Sequence, residues 1–168
     1  MKNLFLMIAT IISISACGQG DKASRPSPPA LVTETISGGT IVTIDYSQPS
    51  VKGRKIGEEL APYGQVWRTG ANEATVFEVS KDVIVEGQAL AAGKYSLYTI
   101  PGENEWVIIF NKKWKQWGTI YKETEDALRV KVKPGKSASF AEKMTFMITK
   151  NGKVSLVWGD IQVDFNVK

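Results

Sequence analysis

The stretch Tyr63-Gly64-Gln65-Val66-Trp67-Arg68-Thr69-Gly70-Ala71-Asn72-Glu73 crowds an indole, a guanidinium, a carboxamide and a carboxylate together between glycines. Such heads are poor core material, because each needs a partner once water is excluded. An arginine offers a planar fork of donors suited to carboxylate, phosphate or sugar hydroxyls, and a tryptophan offers an apolar face for stacking. Together with Lys52-Gly53-Arg54-Lys55 upstream, the pattern nominates Arg54, Tyr63, Trp67, Arg68, Asn72 and Glu73 as a ligand-binding set. The alternative is internal: Arg68 or Arg54 pairs with Glu73, Asn72 bonds loop backbone and Trp67 caps the core.

Two further groups carry chemistry. Asn111-Lys112-Lys113-Trp114-Lys115-Gln116-Trp117-Gly118 combines lysines with tryptophans, a composition suited to an anionic lipid or polysaccharide surface. Its alternative is a solvated loop whose tryptophans fold back under a sheet. Tyr95, Tyr98 and Trp106 offer an aromatic platform for sugar, although alternation places the two tyrosines on opposite faces of one strand.

Much chemistry is excluded. With no histidine in the chain, triads with an imidazole base and the usual zinc sites are absent. There is no phosphate-cradling glycine-lysine loop, no dinucleotide glycine pattern and no calcium loop, so neither cofactor nor metal is expected. Glu58, Glu59, Glu73, Asp160 and Asp164 supply carboxylates for a hydrolase, but spacing alone puts no two of them across a cleft.

The elements that position these groups read as strands. Leu31–Ile36 and Thr40–Tyr46 flank Ser37-Gly38-Gly39, and Asn151-Gly152 separates Met144–Thr149 from Val154–Trp158, both hairpin signals. Gly159-Asp160 reads as a turn into Ile161–Val167, where apolar and polar residues alternate strictly. Leu128, Val130 and Val132 alternate with Arg129, Lys131 and Lys133, a strand with a solvated basic face. Further strands are expected at 74–80, 83–86, 94–100 and 105–110. Trp106–Phe110 is apolar on both faces, which suits a central strand covered on both sides or one crossing a sandwich interior. Short helical turns are expected only at Ile56–Leu60 and Ala138–Lys143. This predicts an all-β fold: an antiparallel β-sandwich, jelly-roll-like, of about nine or ten strands with little helix, an up-and-down barrel being the second choice.

The N-terminus speaks to location. Lys2 precedes an apolar run, Leu4–Ile14, too short to span a bilayer as a helix but suited to a secretory leader. It closes on Ile14-Ser15-Ala16-Cys17, which resembles a bacterial lipobox, and Cys17 is the only cysteine. Residues 1–16 are therefore expected to be a lipoprotein signal peptide and Cys17 the acylated residue that anchors the chain to the cell envelope, at the outer membrane or facing the periplasm. Residues 17–30, rich in Pro, Ser and Gly, read as a flexible tether, and 31–168 as one domain. The formal charge of +4 is small and mixed in sign, which does not favour a nucleic-acid partner.

Several blocks resemble the bacterial family DUF2911: Arg25-Pro26-Ser27-Pro28 through Thr33, Asp45-Tyr46-Ser47, Val51–Ile56 and Pro62–Thr75. Ala92–Gly102, Trp106, Asn111, Leu128-Arg129-Val130 and Trp158 continue the likeness. Where the family often has a bulky residue and glycines after Gly-Arg-Lys-Ile, this chain has Gly57-Glu58-Glu59-Leu60. The resemblance implies an exported bacterial protein and no assigned activity. The expected function is a lipid-anchored envelope binding module for a small polar ligand, glycan or protein partner. The alternatives are an envelope carbohydrate hydrolase or lyase using carboxylates or an Arg–Tyr pair, and a structural envelope component without a ligand site.

Overall fold

The computed structural model describes residues 22–168; the expected signal peptide at 1–16 and Cys17 lie outside them. β1 (Pro29–Ile36) and β2 (Thr40–Ser47) pair antiparallel, with Ile36 opposite Thr40. The turn between them falls on Ser37-Gly38-Gly39, as the glycines require. The chain then builds β3 (Val76–Val79), the short hairpin β4 (Val83–Val85) and β5 (Gln88–Leu90), β6 (Gly93–Ile100), β7 (Trp106–Asn111) and β8 (Asp126–Val132). Six of these form one antiparallel sheet in the order β1-β2-β3-β6-β7-β8, a next-neighbour meander interrupted only by the β4–β5 hairpin.

The opposing layer is a long ribbon of β9 (Pro134–Ile148) and β10 (Lys153–Asn166). Ile84 and Lys168 exchange backbone hydrogen bonds of 2.8 and 2.9 Å, which joins the β4–β5 hairpin to the ribbon. On the other side Val51 N–H donates to the Glu142 carbonyl at 2.8 Å, so the chain leaving β2 crosses to this layer. Alternate residues of both layers meet in between: Phe77, Phe110 and Phe165 pack with ring centroids 5.0 to 6.2 Å apart and each is essentially inaccessible. Burying a side chain of this size contributes about 2–3 kcal/mol, so this cluster and the aliphatics around it hold the layers together. At one end, Tyr46 sets its ring edge-on to Phe146 and its hydroxyl accepts the Phe146 N–H at 3.0 Å.

The fold is the expected all-β, antiparallel, ten-stranded arrangement, and among the described residues helix is confined to single 3-10 turns at Lys22–Ser24 and Glu123–Glu125. Three local expectations change. Gly159-Asp160 is not a reversal: β10 runs straight through it, with register shifts on either side of Gly159. A bulge of this kind bends a strand without ending it, and beyond it the ladder resumes, with Ile161, Gln162 and Val163 opposite Lys136, Gly135 and Pro134. Ala138–Lys143 belongs to β9 rather than to a helical turn, because Ala141 and Lys136 find ladder partners in Gly159 and Ile161. Ile56–Leu60 closes as a tight turn, since Gly57 at φ 94° cannot continue a right-handed helix.

The large sheet is also covered on its outer side. Tyr98 and Ile109 point away from the sandwich core yet are 1 % and 0 % exposed, and the segment from 112 to 125 lies across Tyr98, whose hydroxyl donates to the Ile120 carbonyl and whose ring meets Tyr121. β7 is thus a central strand buried on both faces, as its unbroken apolar run predicts.

Candidate functional site

Residues 67–75 are spliced into the edge of β6. Trp67 and Thr99 exchange backbone hydrogen bonds at 2.7 and 2.9 Å, and Leu97 N–H reaches the Thr75 carbonyl at 2.8 Å. The intervening residues 68–74 have no place in the ladder and bulge outward. Trp67 turns its ring inward, stacked on Trp158 (5.2 Å, 8° between planes) and edge-on to Trp106 (6.5 Å), so it caps the core. The bulge is held in a strained form. Buried Thr69 takes φ 51°, rare for a β-branched residue. It is kept there by its hydroxyl bond to Thr99 Oγ1 (3.2 Å) and by Thr75 Oγ1 donating to its carbonyl (2.8 Å). Asn72 at φ 61° suits the left-handed region better.

Asn72 and Glu73 then make the junction. Asn72 Nδ2 donates to the Ser27 carbonyl at 3.1 Å, and its own carbonyl accepts the Gly118 N–H at 3.0 Å. Glu73 receives Arg25 Nη1 on both oxygens, at 3.1 and 2.8 Å, with Lys22 Nζ at 3.5 Å. Ala74 N–H donates to the Gln116 carbonyl at 3.1 Å. The Glu73 carboxyl is held below its ordinary range, chiefly by a hydrogen bond from its own backbone and then by Arg25, against the opposing effect of burial. It is a standing acceptor and a poor proton donor. Residues 22–28, expected within a tether reaching to residue 30, are therefore fastened to the domain, and β1 already begins at Pro29. Short polar and proline-rich sequence gave no sign of this, because the partners lie 45 and 48 residues away.

Around this junction opens a hollow of about 270 Å³, its wall including Lys22, Arg25, Asp45, Glu73, Trp114 and Lys115. Arg25 spends one nitrogen on Glu73, leaving Nε and Nη2 without an acceptor among the described residues. Three cations thus face two carboxylates, one already engaged, beside the half-open indole of Trp114. Lys22, Arg25 and Asp45 were not among the expected site residues, and Lys115 was expected only within the separate Trp–Lys group. For Asp45 a signal existed: alternation along β2 puts it opposite core-facing Ile44 and Tyr46.

The other expected residues do not converge here. Arg68 bonds the Gly70 carbonyl through Nε (3.3 Å) and lines a separate hollow of about 190 Å³ with Tyr98 and Tyr121. Arg54 ties off its own loop, to the carbonyls of Val51 (3.2 Å) and Ser50 (2.9 Å). Tyr63 lies in a third hollow, of about 310 Å³, with Trp106, Lys136 and Asp160. Of the six, Asn72 and Glu73 act together; Arg54, Tyr63, Trp67 and Arg68 stand apart from them. The sugar platform is absent too, because Tyr95, Tyr98 and Trp106 are all buried.

Sequence reading also missed a polar network beneath the 112–125 segment. Asp126 accepts the Tyr121 hydroxyl (2.7 Å), Arg129 Nε (2.7 Å) and Asn111 Nδ2 (2.8 Å). Burial first, and then the bond to Asp126, push the Tyr121 hydroxyl up to about 12. A hydroxyl so raised is poorly suited to act as a base near neutral pH. Among the described residues no group of three or more carboxylates or other ligating side chains is placed to hold a metal, and no helix is long and apolar enough to cross a membrane.

The family model described as "Protein of unknown function (DUF2911)" matches residues 27–167, and the chain belongs to that family. Comparison with curated proteins and with solved structures found no match.

Proposed function

We propose that this DUF2911 protein is a binding module of the bacterial envelope, anchored through acylated Cys17, whose hollow beside Glu73 takes a small hydroxylated ligand carrying negative charge, such as an acidic sugar. The observation that carries the reading is the imbalance in that hollow. Glu73 is paired with Arg25 and Lys22, so Lys115 and the Arg25 donors that have no acceptor among the described residues are available to an anion, while Asp45 accepts hydroxyls and Trp114 gives a stacking face. A volume of about 270 Å³ is near the lower end for small-molecule sites, which suits one or two sugar rings. Three blocks of the family likeness, at 25–28, 45–47 and 72–74, come together around it.

A structural role is the second reading, favoured by the clamp itself: Asn72 and Glu73 tie residues 22–28 to the domain whether or not a ligand binds. Nothing comparable favours hydrolysis, since Glu73 is held ionised and Glu58 and Glu59 sit in an exposed turn. A glycan array separates the readings. Acidic glycans should be retained over neutral ones by the wild type, and Lys115→Ala should weaken retention on the order of tenfold, the loss of one charge-assisted contact. Uniform failure to retain acidic glycans refutes the binding reading. Cys17→Ala should release the chain from membranes and abolish acyl labelling; persistence of both would refute the anchor alone.

A further inference from the structure

The loop from Lys112 to Ile120 does not tuck its tryptophans under the sheet. Trp114 and Trp117 are 38 % and 49 % exposed, and Ile120 is 51 % exposed, a set of apolar side chains that folding would normally cover. Their exposure is built rather than incidental. Ser96 Oγ donates to the Lys113 carbonyl (2.7 Å), Gln116 Nε2 donates to Tyr98 Oη (3.0 Å) and to the Ile120 carbonyl (2.7 Å), and Tyr98 itself reaches the Ile120 carbonyl (2.6 Å). Backbone bonds to Asn72 and Ala74 fix the loop on its other side. A Cβ at Gly118 would meet Asn72 O at 2.8 Å and Arg68 Cδ at 2.6 Å, so the loop is seated as closely as backbones allow. The same loop carries Lys112, Lys113 and Lys115 and no acidic residue.

We infer that this loop rests on an anionic lipid surface, with Trp114, Trp117 and Ile120 in the interfacial layer and the lysines among the headgroups. Indoles favour that layer because one edge is polar and the rest apolar, and lysine stems extend from apolar to charged surroundings. The charge is complementary to anionic lipid and to nothing on the loop itself. Position supports the same occupant: Lys22 lines one hollow with Trp114 and Lys115, and Cys17 is five residues upstream, a reach of at most roughly 18 Å. A lipid-anchored Cys17 would therefore hold this face, and the rim of the proposed binding hollow, against the membrane. That positional support rests on the anchor reading; the pinned, exposed loop does not.

The test uses the full chain with vesicles of phosphatidylglycerol and phosphatidylcholine whose acyl chains are brominated, reading quenching of tryptophan fluorescence. Trp67, Trp106 and Trp158 are inside the domain, so contact quenching reports Trp114 and Trp117. The wild type should be quenched, less so in pure phosphatidylcholine and progressively less as salt is raised. A Lys112→Glu, Lys113→Glu, Lys115→Glu variant keeps both reporters, and should need at least about tenfold more anionic lipid for the same quenching. The wild-type salt series gives that readout without substitution if the variant misfolds. Quenching that is absent with anionic vesicles, whether or not the chain sediments with them, overturns the inference. So does quenching unchanged by both charge reversal and salt. Cys17→Ala separates the two readings, because loss of the anchor abolishes acyl labelling and leaves loop quenching at saturating lipid.

Discussion

At the scale of single residues, the determining question is which head finds which partner. Glu73 has its carboxyl lowered in the folded chain, so its contribution is present above the ordinary carboxylate value and is lost as pH falls through the lowered folded one. Residues 22–27 should therefore loosen on acidification. Glu73→Gln should loosen them already at neutral pH, accelerating their amide exchange by on the order of a few-fold, as befits a half-exposed ion pair. Unchanged exchange in that variant would show that Asn72 alone holds the segment. Tyr121 works in the opposite sense. Its hydroxyl is raised to about 12, so its contribution is complete below about 10, the unfolded value, and is lost as pH rises toward the folded one. Absorbance titration at alkaline pH should show a late-ionising tyrosine that disappears in Tyr121→Phe; early ionisation of all tyrosines would contradict the Asp126 network.

At the scale of elements, two glycines separate two kinds of cost. Gly38 has φ 92° with open space where a Cβ would go, whereas Gly152 has φ 85° and a Cβ there would meet the Val167 carbonyl oxygen at 1.9 Å. Gly38→Ala should cost about 1 kcal/mol from backbone conformation alone, and Gly152→Ala about 2–3 kcal/mol or more, because the β9–β10 turn must part from the last residues of the chain. Denaturant midpoints check the order, and equal costs would contradict the close approach at Gly152. Both hairpins were legible in the sequence because their turn residues carry the conformation locally. β5 and the 134–143 arm of β9 were not: Gln88-Ala89 and Lys136–Ser139 are largely exposed, so no apolar alternation marks them. They are strands only because a partner strand lies alongside. Gly159 misled for a related reason, since a glycine at a bulge and a glycine at a turn look alike in one sequence.

For the whole molecule, the sandwich class and the doubly covered central strand were readable, because burial imprints period and apolarity on the chain; the strand number agrees because the unmarked β5 offsets the two strands expected on either side of Gly159. The site was readable only in fragments. Asn72 and Glu73 announced themselves by chemistry. Their partners Arg25 and Ser27 stood in sequence that resembles a linker, and which loops would meet over the outer face of the sheet depends on contacts spanning 45 residues or more. Arg68 shows the limit most clearly: it sits in the same short block as Glu73, yet the outward bulge of 68–74 sends the two side chains to different hollows. Two features now lie on one side of the domain, the cation-rich hollow and the Trp–Lys loop at its rim. The geometry suits a module that meets its ligand near a charged surface.

The binding hollow is tested most directly by nuclear magnetic resonance, following the indole N–H of each tryptophan and the Nε–H of each arginine while a hexuronic acid or its dimer is added. Trp114 and Arg25 should shift in a saturable way, Trp158 should stay in place, and Lys115→Ala should weaken the response on the order of tenfold. Saturation without any shift at Trp114 and Arg25, or shifts centred on Arg68, would contradict the assignment of the ligand to the Glu73 hollow.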